Sequence, residues 1–227
     1  MLTGLLPALV MFQGQLVATT PAERLNEGWW KERHDRCVEM TRKGGIDVVF
    51  LGDSITQGWE GQKAWDRDFA PLKAGNFGFS GDRTEHVLWR LEHGEILGLN
   101  PKAIVIMIGT NNVGHGSSNS EQAAQGVAAI VKKLRDGLPN AKILLLGVFP
   151  RGEQPNEPLR LAVNDITKRI SVLDDGKHVF FKDIGPAFVR IDGTLRTLLM
   201  PDRLHLNEAG YEIWAKAILP DVKALLK

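Results

Sequence analysis

The chain has 227 residues, with 28 lysines and arginines against 27 aspartates and glutamates, a formal charge of +1 and a single cysteine, Cys37. So even a mixture of charge, with no basic stripe, excludes nucleic acid and anionic membrane as expected partners, and one cysteine excludes an intramolecular disulfide and a cysteine-rich metal site. The length fits one α/β domain with a core large enough to need no staples.

The first segment is ambiguous. Leu5–Phe12 is patterned like the apolar core of a signal peptide, and Leu16-Val17-Ala18 could precede a cleavage site, yet no Lys or Arg comes before them. The alternative is an apolar arm that packs on the domain or on a second subunit. Residues 1–24 are therefore set apart from a domain spanning 25–227. No apolar stretch reaches the roughly 20 residues a membrane-spanning helix needs. The expected protein is soluble, not integral to a membrane, and either cytoplasmic or exported.

From there, short apolar runs alternate with amphipathic stretches. Asp47–Leu51, Ala74–Phe77, Ala103–Ile108, Ile143–Val148 and Val179–Phe181 read as buried strands, being too short for helices and mostly rich in Val, Ile, Leu or Phe. Thr84–His93, Glu121–Leu138 and Leu159–Leu173 carry apolar residues at helical spacing, and a last helix follows Asn207, a plausible N-cap. Five alternations predict a five-stranded parallel sheet with helices on both faces, a three-layer α/β/α sandwich. Ligands of such sheets bind beyond the carboxyl ends of the strands. The polar loop Gly114–Ser120 and the Pro-containing loop Arg151–Pro158 both follow strands and belong on that face.

The chemistry-bearing positions fall at the same ends. The first strand runs into Gly52-Asp53-Ser54, where glycine permits a sharp turn and Ser54 starts the next helix. Free N–H groups there favour the anion formed when a serine attacks; the plain alternative is a helix cap. Among six histidines, His205 follows Asp202 by three residues in a run broken by Pro201, so that Asp202 can fold back onto its ring. Asp82 with His86 is the nearest rival and fits a helix face better. Ser80, in Gly78-Phe79-Ser80-Gly81, competes with Ser54, but the glycine that a nucleophile elbow needs two residues later is Asp82. The Asn76–Asp82 loop, with Gly78 and Gly81, and Gly109-Thr110-Asn111-Asn112 offer backbone and side-chain donors near Ser54, or else are ordinary turns. Leu198, Leu199 and Met200 are candidates for one wall of an acyl pocket, or equally for core.

Taken together, Gly52-Asp53-Ser54, the Asn76/Gly78/Gly81 loop, Gly109-Thr110-Asn111 and Asp202 with His205 resemble the ordered blocks of the SGNH (GDSL-type) hydrolase superfamily. Asn76–Phe79, His86–Leu91, Ile108–Asn112, Leu146–Glu153 and Leu204–Leu206 are similar to the branch formed by the catalytic subunits of platelet-activating-factor acetylhydrolase IB. The similarity runs from about Trp29 to the C-terminus. It implies the flavodoxin-like fold of that superfamily, with Ser54 as nucleophile, His205 as base, Asp202 as its orienter, and an oxyanion hole of Ser54 N–H, Gly81 N–H and the Asn111 side chain. It also implies a homodimer. The wider superfamily often has Asp after the block Asn, where this chain has Asn112.

The expected function is a serine esterase that cleaves short-chain, chiefly acetyl, esters of a small molecule through an acyl-enzyme, with no metal or cofactor. The short acyl group is argued from the little chain left for a lid. The alternatives are an acyltransferase using the same acyl-enzyme and an idle relative that binds acylated ligands.

Overall fold

Apolar runs buried on both faces pair with one another, and here they do so in parallel. The computed structural model describes residues 17–227, so the Leu5–Phe12 run lies outside the described residues. The elements in chain order are α1 (Gly28–Lys43), β1 (Val48–Gly52), α2 (Ser54–Gln57), β2 (Ala74–Gly78), α3 (Thr84–Glu92), β3 (Ala103–Met107), α4 (Thr110–Gly114), α5 (Ser120–Gly137), β4 (Lys142–Leu146), α6 (Pro158–Ile170), β5 (Val179–Lys182) and α7 (Glu208–Leu225). All five strands are parallel, in the order β2-β1-β3-β4-β5.

Alternate strand residues feed two separate cores, as the two-residue period of a strand requires. Val49, Leu51, Ile104 and Ile106 meet α1, α3, α5 and α6 on one face. Val48, Phe50, Val105 and Met107 meet α7 and the Trp59–Phe69 segment on the other. The three-layer α/β/α sandwich is therefore present. Among the described residues no helix is long and apolar enough to cross a membrane. Asn207 caps α7 by accepting the N–H of Gly210 at 3.1 Å.

Helix α1 has no counterpart among the apolar-periodic stretches. Its buried stripe is Trp30, Arg33, His34, Cys37 and Thr41, so helical spacing is kept while three of these five residues are polar. Each polar member is bonded: Arg33 Nε donates to the Gly78 carbonyl at 2.6 Å, His34 Nδ1 pairs with Glu95 at 3.0 Å, and Thr41 Oγ1 donates to the Glu95 carbonyl at 2.8 Å. Burial pushes the Cys37 thiol up to about 12, as expected of an inert buried thiol.

Residues 17–22 lie across α3 and α5. The Ala18 carbonyl accepts the hydroxyl of Thr84 at 2.8 Å, and Ala22 N donates to the Glu85 carbonyl at 3.1 Å. This close approach depends on Gly126 in α5. A Cβ there would stand 2.3 Å from Thr84 Oγ1 and 2.6 Å from the Ala18 carbonyl. Helix propensity alone favours Gly126→Ala by about 1 kcal/mol. Overpacking against a backbone carbonyl and a bonded hydroxyl costs roughly 1–3 kcal/mol, so packing wins. Gly126→Ala should lower unfolding stability by about 1 kcal/mol in urea titration, the middle of the overpacking range less the propensity gain; a net stabilisation would show that residues 17–19 do not bear on α5 in solution.

Candidate active site

Strand register builds the site. Gly52 pairs level with Gly78 on one side and Met107 on the other. Ser54, Gly81 and Asn111 then follow two, three and four residues beyond those level positions, at one edge of the sheet. The edge lies at the β1/β3 switch point of a 2-1-3-4-5 order, where such sheets open a crevice. Gly52 is needed because a Cβ would meet Thr56 Oγ1 at 2.1 Å and the Met107 carbonyl at 2.5 Å.

Ser54 is the first residue of α2, with Asp53 as N-cap accepting the N–H of Ile55 at 2.9 Å. Ser54 Oγ lies 2.8 Å from His205 Nε2, and His205 Nδ1 lies 2.6 Å from Asp202 Oδ2. An ionised carboxylate only accepts, so Nδ1 carries the proton and Nε2 of the neutral ring is left to accept from the Ser54 hydroxyl. The second Asp202 oxygen accepts the backbone N–H groups of His205 at 2.7 Å and Leu204 at 3.0 Å. Partial burial works to raise the Asp202 carboxyl, but these bonds outweigh it and hold it below the usual carboxylate range.

The turn that allows this is strained at one point. Arg203 sits in the left-handed region, φ 64°, at a cost of about 1–2 kcal/mol for a residue with a Cβ. Its side chain pairs with Glu153 at 2.9 Å and its carbonyl accepts the N–H of Gly152 at 3.0 Å. The Arg151–Pro158 loop thus supports the histidine turn. It also reaches α4, where Arg151 Nη1 donates to the Thr110 carbonyl at 3.0 Å.

On the opposite side, Gly81 has φ 72°, and among the described residues no acceptor takes the N–H of Gly81 or of Ser54. Asn111 Nδ2 donates one proton to the Asp82 carbonyl at 3.0 Å, leaving the other free for a ligand. Asn112 is buried and satisfied: its carbonyl oxygen accepts the N–H of Thr84, and its Nδ2 donates to Thr84 Oγ1 and Glu85 Oε2, all at 3.0 Å. Glu85 explains the amide, since an Asp at 112 would set two carboxylates against each other without water.

Several expected positions have other duties. Asn76 ties β2 to α2, donating to the Thr56 and Gln57 carbonyls. Ser80 is exposed, and its N–H donates to Gln57 Oε1 at 2.7 Å. Leu199 and Met200 belong to the α7-side core, whereas Leu198 is 83% exposed. Leu199 and Met200 are thus packing residues rather than a pocket wall. Asp53, fully buried, is pushed up to about 7, chiefly by burial and against the N–H bond from Ile55.

What the sequence reading missed is the support beneath the Gly81 loop. Asp82 is fully buried and accepts from Trp30 Nε1 at 2.8 Å, Arg90 Nε at 2.8 Å and Arg24 Nη1 at 2.9 Å. Arg90 is itself buried, stacks on Phe79 at 3.9 Å and pairs with Glu95. Its signal was available: Arg90 stands on the apolar face of α3 between Val87 and Leu91. Arg24 carried no such mark.

The family model described as GDSL-like Lipase/Acylhydrolase family matches residues 50–213. Platelet-activating factor acetylhydrolase IB subunit alpha1 of Homo sapiens is 39% identical over 203 residues, covering 88% of this chain and 85% of that protein. The alpha2 subunit of Rattus norvegicus is 39% identical over 199 residues, covering 87% and 85%. Among solved structures, a GDSL-like lipase from Bacteroides thetaiotaomicron superposes with a TM-score of 0.70 at 21% identity, over 84% of this chain and 97% of that one. An acetylxylan esterase from Geobacillus stearothermophilus gives a TM-score of 0.62 at 19% identity, over 79% and 94%.

His86, the rival base, caps α3 instead. Its Nδ1 accepts the Arg83 N–H at 3.1 Å and lies 3.7 Å from Asp82 Oδ1, while Arg83 Nη2 stands 3.2 Å from Nε2. Burial first, then the charges of Arg83, Arg24 and Arg90, lower its pKa to about 3. In the unfolded chain a histidine takes a proton near 6.5. The neutral ring therefore contributes stability that is complete above that pH and is lost as pH falls toward 3. His86→Gln should remove roughly 1–2 kcal/mol of the destabilisation that accompanies acidification from pH 7 to 5. Parallel stability–pH curves for the two proteins in urea titration would refute this.

Proposed function

The chain belongs to the GDSL-like lipase/acylhydrolase family, and we propose that it is a serine esterase that hydrolyses short-chain, chiefly acetyl, esters through an acyl-enzyme. The observation that carries this reading is the continuous chain from Ser54 Oγ through His205 to Asp202, at 2.8 and 2.6 Å.

In this mechanism Ser54 Oγ attacks the ester carbonyl while His205 Nε2 takes its proton. Asp202 keeps the ring in the required tautomer and stabilises the imidazolium. The negative charge that develops on the carbonyl oxygen is met by the N–H groups of Ser54 and Gly81 and by the free amide proton of Asn111. Collapse expels the alcohol, which takes its proton from His205. Water, activated by the same nitrogen, then releases the acid.

Two observations support a small acyl group. The His205 and Asp202 side chains are 41% and 56% exposed, so this side of the site is shallow. Relatives are named as acetylhydrolase subunits, and a protein of the same fold as an acetylxylan esterase.

Ser54→Ala should lower kcat on p-nitrophenyl acetate by at least about 10³-fold with the fold intact; retained activity, or an organophosphate adduct on Ser80, would sink the assignment. In a series of p-nitrophenyl esters, kcat/KM should peak at about two to four carbons, because a shallow site leaves longer chains in water and each further methylene contributes far less than about 0.8 kcal/mol. A maximum at the octanoate or laurate would contradict the shallow site.

A further inference from the structure

We infer that Arg24 is a positioning residue of the oxyanion hole, supplied by the segment that precedes the family match. The inference rests on the esterase reading above. Arg24 lies upstream of residue 50, where that match begins, yet its guanidinium is fixed on the loop that carries Gly81. Nη1 donates to the Ser80 carbonyl at 2.8 Å and to Asp82 Oδ1 at 2.9 Å. Both terminal nitrogens lie 3.4 Å from where a Cβ on Gly81 would stand. Arg24 therefore bonds the residues on either side of Gly81 and covers the back of the glycine between them.

The guanidinium is held in place for this. Glu27 grips it from the other side, Nε to Oε1 at 2.9 Å and Nη2 to Oε2 at 2.8 Å, and Trp29 lies 5.2 Å below it. The planar fork satisfies four acceptor contacts at once, which an ammonium cannot do.

The consequence reaches two proposed donors. The peptide between Ser80 and Gly81 sets where the Gly81 N–H points, and Arg24 holds the carbonyl of that peptide. The carbonyl of Asp82 holds Asn111 Nδ2 at 3.0 Å, so the same loop also sets the Asn111 amide. Arg24 touches no reacting atom. It acts by keeping both donors where charge develops, and a shift of about 1 Å in such a group costs on the order of 10²-fold in rate.

The test is steady-state kinetics of the full chain on p-nitrophenyl acetate, with competent sites counted by organophosphonate titration and folding checked by thermal melting. Arg24→Ala should lower kcat per titrated site by about 10- to 100-fold with KM changed less than about threefold, since the donors strengthen their bonds only in the transition state. Added guanidinium at millimolar concentration should restore part of kcat, and Arg24→Lys should fall between wild type and Arg24→Ala. A kcat per site equal to wild type overturns the inference, as does a loss of titratable sites with undiminished turnover in those that remain, the mark of a purely structural residue. Wild type no more active than Ser54→Ala would instead overturn the esterase reading, and this inference with it.

Discussion

A carboxylate sealed from water must be surrounded by donors, and Asp82 imposes that requirement on much of the molecule. It is 0% exposed, and an unpaired ion in such a place costs several kcal/mol. Three elements answer it: the N-terminal segment with Arg24, α1 with Trp30 and α3 with Arg90. Arg90 passes the constraint on to Glu95, which binds His34 and Thr41 of α1. The main chain that carries Asp82 also carries Gly81, and its carbonyl holds Asn111. Satisfying one buried charge thus fixes the loop after β2, the start of α4 and the seating of α1 in a single arrangement.

The other side of the site is built differently. Helix α2 is one turn long, too short to hold itself, so it borrows rigidity from both cores. Tyr211 of α7 donates to the Ile55 carbonyl at 2.8 Å, and Asn76 of β2 bonds the carbonyls of Thr56 and Gln57. Gly58 leaves room for the tyrosine hydroxyl, which would lie 2.1 Å from a Cβ there. Ser54 therefore stands between an aromatic layer of Trp59, Tyr211 and Trp214 on one face and the charged Asp82 layer on the other. The sheet order makes this possible, since connections leave β1 and β3 toward opposite faces at the switch point.

How much of this was legible depends on where polar groups were buried. Strands β1, β3, β4 and β5 could be read because each is built on a continuous apolar run, β2 because the short Ala74–Phe77 stretch falls into the same alternation with helices, and α5, α6 and α7 because their buried faces are mostly apolar at helical spacing. Helix α1 could not, because Arg33, His34 and Thr41 occupy its inward stripe. The Ser54, His205 and Asp202 side chains, which the structure brings into one hydrogen-bonded chain, could be grouped because chemistry restricts which residue types perform such roles and at what spacing. Asn112 was noted as an Asn where Asp is usual, but its reason is Glu85, a contact across space that no local spacing reports. Arg24 is the extreme case. An arginine in a Pro-Ala-Glu-Arg stretch reads as solvated, and only the folded chain sets it 58 positions away against Asp82.

The two halves of the site also differ in their relation to water, and that difference bears on the reaction. On the Asp82 side, Asp82 and Asn111 are buried, so in the proposed mechanism the Asn111 dipole would act at lowered local dielectric and need little reorganisation as charge develops. The histidine half is wet: Asp202 and His205 are well exposed and are held by a left-handed turn at Arg203 and the Glu153 contact rather than by burial. In the esterase mechanism these halves have distinct tasks. Charge stabilisation profits from exclusion of water, whereas deacylation requires a water molecule to reach His205 Nε2. A closed histidine side would retain the acyl group until a bound acceptor arrived, as a transferase needs. An open one would deliver water at its bulk concentration to the acyl-enzyme, so under the proposed esterase reading the exposure of His205 favours hydrolysis over transfer.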